Sequence, residues 1–238
     1  MTESAATPKR AMVIVAHCDD VEFVCAGTVA RWVREDWEVV YVICTDSSKG
    51  SEDPEMSPQK LVQIRQEEQR RAAAVLGVKE VVFLGREDGA LVDDMELRRD
   101  LVRLIRKWQP RRVLTGDPTF RYSPDGYINH PDHVAVASAA SVSVYPFARN
   151  RPTFPDLLAE GLEPWKVEEV YFWSGGPSAN WWIDISDYID LKIQALREHR
   201  SQLGEWDPDE MIRDWARSSG AGQLMEYAES YRRLVIDG

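Results

Sequence analysis

The sequence predicts an α/β fold, a mostly parallel sheet flanked by helices, and three observations carry that reading. Short apolar runs bounded by turn residues alternate with longer stretches of helical period. The 238 residues suffice for one large domain with a substantial core. With 44% hydrophobic and 29% charged residues, the composition is that of a globular chain and not of a disordered one.

The runs 11–16 (AMVIVA), 38–45 (EVVYVICT), 80–84 (EVVFL) and 112–116 (RVLTG) read as strands, with later strands at 169–173 (EVYFW) and 181–185 (WWIDI). Between them, 22–36, 58–76 and 94–108 space apolar residues at three and four, as helices packed on a sheet do. The result is a Rossmann-like βαβαβαβ core. In the third helix Leu97, Leu101, Leu104 and Ile105 line one face, and Arg98, Arg99, Arg103, Arg106 and Lys107 lie largely on the other, as a solvated face. Segments 46–57, 117–129 and 146–166 carry Pro, Gly, Ser and Asp clusters and read as loops. Three C-terminal helices are expected at 187–203, 208–217 and 223–235. Residues 1–10 read as a flexible lead-in, and no linker demands a second domain, so 1–238 is expected to be one unit.

Charge narrows the function. A net charge of −11 repels a nucleic-acid backbone. The apolar run behind the polar N-terminus is too short for a signal-peptide core or a membrane span, so no membrane partner and a cytoplasmic location are expected. Cys18, Cys25 and Cys44 form no CxxC pair, which argues against a disulfide framework.

Only four histidines occur, and three of them sit in two acidic clusters: A-H-C-D-D-V-E at 16–22, between the first strand and first helix, and H-P-D-H at 130–133. A catalytic zinc site usually takes three protein ligands from His and carboxylates and keeps a fourth position for water. His17, Asp20 and His133 meet that count. Asp19 is the candidate general base, and His130, if cationic, can help the oxyanion or the leaving amine, its ring held by Asp132. Each cluster alone has a plainer explanation: Pro131 and Asp132 suit a helix start, and Asp19 or Asp20 could cap the first helix. Both clusters at strand-end loops of one sheet favour the metal.

The chain resembles the LmbE-like, or PIG-L, family of zinc-dependent de-N-acetylases, whose signatures are A-H-P-D-D-E and H-P-D-H. Ala26-Gly27-Thr28 stands where the family often reads G-G-T. Arg65, Glu68, Ala72, Ala73, Leu76 and Gly77 match R-x-x-E-x-x-x-A-A-x-x-L-G, Asp88-Gly89 matches D-G, and the stretch from Asp184 to Gln202 follows the family's later pattern. The resemblance implies zinc on His17, Asp20 and His133, Asp19 as base, and contacts from Arg65 and Asp88 to sugar hydroxyls. Cys18 replaces the usual Pro, and Val21 separates Asp20 from Glu22. Cys18 is a weak candidate for a thiolate ligand, and His199 reads as structural.

The expected activity is removal of an N-acetyl group from an amino sugar or glycoconjugate, in an enzyme that can self-associate. Two other classes stay open. One is a metal-dependent hydratase acting on a small unsaturated dicarboxylic acid, and the other is a non-catalytic binding module. The absence of G-x-G-x-x-G after the first strand disfavours a dinucleotide site. Phe120, Tyr122, Trp165, Trp173, Trp181 and Trp182 are candidates to stack on a sugar ring, and Tyr127 to reach the pocket.

Overall fold

The structure, a computed structural model, describes residues 8–123, 126–173 and 178–236. Seven strands make one sheet: β1 (Arg10–Val15), β2 (Glu38–Thr45), β3 (Glu80–Arg86), β4 (Arg112–Gly116), β5 (Glu169–Trp173), β6 (Trp181–Asp184) and β7 (Ala228–Val235). Their order is β3-β2-β1-β4-β5-β7-β6, with the first five parallel and β7 antiparallel to both neighbours. The α/β prediction holds. Of the predicted lead-in, residues 1–7 lie outside the described residues, and β1 begins at Arg10.

β1 and β2 are apolar at nearly every position because helices cover both faces of the sheet. Val13, Val15, Tyr41 and Ile43 point to one face. There they meet α2 (Ala26–Arg34), α3 (Pro58–Leu76), α7 (Ile189–Leu196) and α9 (Asp209–Gly220). Met12, Ile14, Val40 and Val42 point to the other. That face is covered by α4 (Met95–Trp108), α5 (Pro131–Val142) and the short α6 (Pro155–Ala159), which interrupts the predicted loop at 146–166. The α3 boundaries follow from chemistry: Ser57 accepts the Lys60 N–H at the start, and Gly77 takes the left-handed conformation at the end.

Four departures from expectation have identifiable causes. The helix predicted over 22–36 is two, α1 (Asp20–Val24) and α2, broken at Cys25. The break turns the amides of Gly27 and Thr28 toward the Glu229 carboxylate, at 3.1 and 2.7 Å. Gly27 is also required by a close approach, since a Cβ there would lie 2.7 Å from Ile185. The helix predicted over 223–235 is instead strand β7, inserted between β5 and β6. Tyr227, Tyr231 and Leu234 mimic a helical stripe, but ladder bonds to strands on both sides outweigh local spacing. The helix predicted over 187–203 breaks at His199, separating α7 from α8 (Arg200–Leu203). Finally, Arg106 leaves the solvated face of α4: it is 1% exposed and donates to the carbonyls of Phe147, Ala148, Asn150 and Thr153.

Candidate metal centre and active site

The strand order reverses between β1 and β4, since β1 pairs with β2 on one side and with β4 on the other. Loops leaving the carboxyl ends of strands diverge at such a point and open a crevice. His17 follows β1 directly, and the loop after β4 runs to α5, whose first turn carries Asp132 and His133. Pro131 sits at a position where its missing N–H is no loss, and His130 Nδ1 accepts the Asp132 N–H at 3.2 Å. The two histidine clusters, 116 positions apart, thus meet.

His17 Nδ1 lies 3.3 Å from His133 Nε2, which lies 3.0 Å from Asp20 Oδ1. The opposite edges of both rings are committed. His17 Nε2 faces Asp88 Oδ1 at 3.1 Å and Asp132 Oδ2 at 3.3 Å. His133 Nδ1 faces Asn129 Oδ1 at 3.0 Å, and Asn129 Nδ2 donates to the Phe120 carbonyl, which fixes the amide's orientation. Carboxylate oxygens only accept, so in a neutral His17 the proton sits on the outer Nε2 and the Nδ1 lone pair faces inward. His133 has an acceptor oxygen at each nitrogen, Asn129 at Nδ1 and Asp20 at Nε2, so it can turn either a lone pair or a proton to the centre. Two imidazole nitrogens with one carboxylate form a ligand set that suits a catalytic divalent metal.

The electrostatics agree. Burial opposes a charge on His17, yet Asp132, Asp88 and Asp20 outweigh it and push the imidazole up to about 10. Burial would raise Asp20, but His133 and His17 hold it well below the usual carboxylate range. The cluster lacks positive charge, which either an extra proton or a metal ion can supply.

Asp19 occupies a left-handed backbone conformation, φ 87°, that a non-glycine residue adopts only when its surroundings impose it. Its N–H donates to Gln69 Oε1 at 3.0 Å, and its Oδ2 accepts from Arg65 Nη2 at 3.2 Å. Burial pushes the Asp19 carboxyl up to about 6, with Arg65 opposing. Arg65 is 4% exposed and also donates to the carbonyls of Cys18 and Ser47. Asp88 is buried as well and accepts the Lys49 N–H. Of the two residues expected at sugar hydroxyls, Arg65 faces Asp19 and Asp88 faces His17. The Asp132 carboxylate lies 3.9 Å from His130, accepts the Gly89 and Leu91 amides and faces His17.

His130 stands at the crevice, its ring 4.7 Å from that of His17. Burial and the neighbouring His17 lower its pKa, and its Nδ1 is occupied as an acceptor, so it offers a neutral Nε2–H. Cys18 is buried, and burial pushes its thiol up to about 12, so it stays protonated. Tyr127 stacks on Phe120 in the loop after β4, while Tyr122 and Ile128 are strongly exposed. Trp165 and Trp173 pack against the two cores, and Trp181 lies exposed beneath Arg233.

Sequence reasoning overlooked Asn129 and Gln69. Signals existed for both. Asn129 directly precedes H-P-D-H, four residues before His133, and Gln69 lies one helical turn after Arg65 on the face of α3 that meets the site. Among the described residues no helix is long and apolar enough to cross a membrane.

The chain is similar to several known proteins. The diacetylchitobiose deacetylase of Thermococcus kodakarensis is 34% identical over 232 residues, covering 94% of this chain and 82% of the relative. The solved N,N'-diacetylchitobiose deacetylase from Pyrococcus horikoshii superposes with a TM-score of 0.86 at 31% identity, over 95% of this chain and 84% of that one. The 4-carboxy-2-hydroxymuconate hydratase from Pseudomonas putida has a TM-score of 0.78 at 21% identity, over 97% and 98%, which shows a shared fold alone. Residues 12–144, which span both histidine clusters, match the PIG-L family, described as GlcNAc-PI de-N-acetylase. The chain belongs to that family and is a hydrolytic de-N-acetylase.

Proposed function

We propose that this chain is a zinc-dependent deacetylase of N-acetylated amino sugars or their glycoconjugates, with zinc on His17, Asp20 and His133. The carrying observation is the pair of inward-facing ring nitrogens beside the Asp20 carboxylate, each fixed by an acceptor on its far edge. Both diacetylchitobiose deacetylases named above act on N-acetyl groups of an amino sugar, which supports the substrate class.

A zinc ion held there supplies Lewis acidity, polarising the amide carbonyl and lowering the pKa of water. Asp19 is the general base: its carboxylate takes the proton from the attacking water and delivers it to the departing amine. Its burial keeps the pKa close enough to neutrality for both steps. His130 donates its Nε2–H to the oxygen on which negative charge develops. Asp88 and Asp132 hold His17 with its proton outward, as carboxylates beside metal-binding imidazoles do. Arg65 orients Asp19.

The test is Asp19→Asn, assayed for acetate release from N-acetylglucosamine conjugates alongside metal analysis. Turnover should fall by about 10²-fold or more with metal content nearly unchanged; unchanged turnover would overturn the assignment of the base. The hydratase reading makes a different prediction, water addition to an unsaturated diacid, and nothing in the site favours it.

A further inference from the structure

Behind the crevice lies a buried row of polar side chains to which the proposed reaction assigns no task. Gln69, Glu22 and His199 are each fully buried. Gln69 Nε2 donates to both oxygens of Glu22, at 3.0 and 3.2 Å, and Glu22 Oε2 lies 3.1 Å from His199 Nε2. A carboxylate can only accept, so it forces the amide group of Gln69 toward itself and the Gln69 carbonyl oxygen toward the Asp19 N–H, 3.0 Å away. Glu22 in turn is held by His199, which begins α8 and is anchored from outside α1 and α3.

The recipient of this ordered bond is the residue with the left-handed backbone, Asp19 at φ 87° and ψ −25°. Its conformation turns two consecutive carboxylates to different partners: Asp19 Oδ2 to Arg65, Asp20 Oδ1 to His133. Such a conformation is uncommon for a residue other than glycine and persists only if surrounding bonds fix it. The Asp19 carbonyl is tied locally, accepting from the amides of Glu22 and Phe23. Its amide, among the described residues, is tied through Gln69.

We propose that Gln69 is a positioning residue for the general base, keyed by Glu22 and His199, which locks the Asp19 peptide so that its carboxylate stays aimed at the reacting water. The proposal rests on the assignment of Asp19 above. Gln69 touches neither substrate nor the metal ligands, so its effect is on turnover and not on metal or substrate affinity.

The test is Gln69→Met, which keeps the volume and removes the bonds to Asp19 and Glu22. In the zinc-loaded enzyme kcat should fall about 10- to 100-fold, the scale of a small misplacement of a reacting group, with KM changed by less than about threefold. Zinc affinity from competition titration should match wild type. In the metal-free protein, the Asp19 amide should exchange with solvent faster than in wild type. Glu68→Gln is the reference, because Glu68 is equally buried on α3 but binds Ser201, away from Asp19; it should lower the melting temperature and leave kcat unchanged. Should Gln69→Met not fold, Glu22→Gln removes the key that orients Gln69 and should give the same loss confined to kcat.

Wild-type kcat in the folded variant, or a loss of zinc affinity in proportion to kcat, overturns the proposal. An inactive Asp19→Asn beside a fully active Gln69→Met defeats this inference alone. A fully active Asp19→Asn defeats the assignment of the base itself.

Discussion

Two buried polar clusters grip the same short stretch of chain, His17 to Thr28, and they differ in charge balance. At the crevice, the carboxylates of Asp20, Asp88 and Asp132 crowd around His17 and His133. Behind α2, Lys192 donates to Glu229 at 2.6 Å and to the Phe23 carbonyl. Glu229 also accepts from Tyr231 and from the amides of Gly27 and Thr28. The second cluster balances one cation against one anion, with hydrogen-bond donors at both Glu229 oxygens. The first is complete only with a cation added. Buried charge is costly unless compensated, so the uncompensated cluster marks the place where a ligand belongs, and the compensated one reads as a structural clamp.

Unbalancing the clamp should have the largest effect on stability. Lys192 and Glu229 are each about 95% buried, so Lys192→Met leaves a carboxylate alone in the interior and should cost about 3–5 kcal/mol in denaturant unfolding. Adding Glu229→Gln should restore part of that loss. If the double variant is no more stable than Lys192→Met, the clamp acts through its hydrogen bonds and not through charge compensation.

Asp132→Asn tests the other cluster. The change removes a negative charge and sets an amide against the Gly89 and Leu91 N–H groups or the His17 ring. Metal affinity should fall about 10- to 100-fold, measured by competition with a chelating dye. Unchanged affinity would show that Asp88 alone orients His17.

The smallest effect is expected from a partly exposed balanced group, which separates the role of burial from that of pairing. Burial would raise the Glu169 carboxyl, but Tyr171, Arg233 and Arg112 outweigh it and hold it below its ordinary value. A depressed folded-state value stabilises the protein above the unfolded glutamate pKa of about 4.3, and that contribution is lost as pH falls below it. Urea midpoints of wild type should therefore drop more steeply below about pH 4.3 than those of Glu169→Gln. Parallel curves would mean that the group adds nothing through its charge.

Much of this architecture was legible in sequence. The five parallel strands, α3 and α4 declare themselves through apolar runs and helical stripes, because local burial alone specifies them. His17, Asp20 and His133 stood out as candidates because three of the four histidines fall in two short acidic clusters at strand-end loops, and the structure brings ligand atoms of these three residues within 4.8 Å of one another. β7 was misread, since Tyr227, Tyr231 and Leu234 fit a helical period and only strands on both flanks make a strand preferable. Arg106 was misread because its buried carbonyl partners come from residues over 40 positions away.

The sequence by itself determined the fold class and the candidate ligands, for these depend on apolar periodicity and on side-chain chemistry carried by single residues. Only the tertiary structure decided which nitrogen of each ring faces inward. It likewise turned Asp132 toward His17, Arg65 toward Asp19 and Gln69 toward a strained peptide. Those are hydrogen bonds across distant segments, whose direction is set by the donor or acceptor that packing places opposite, and no local pattern in the chain encodes it.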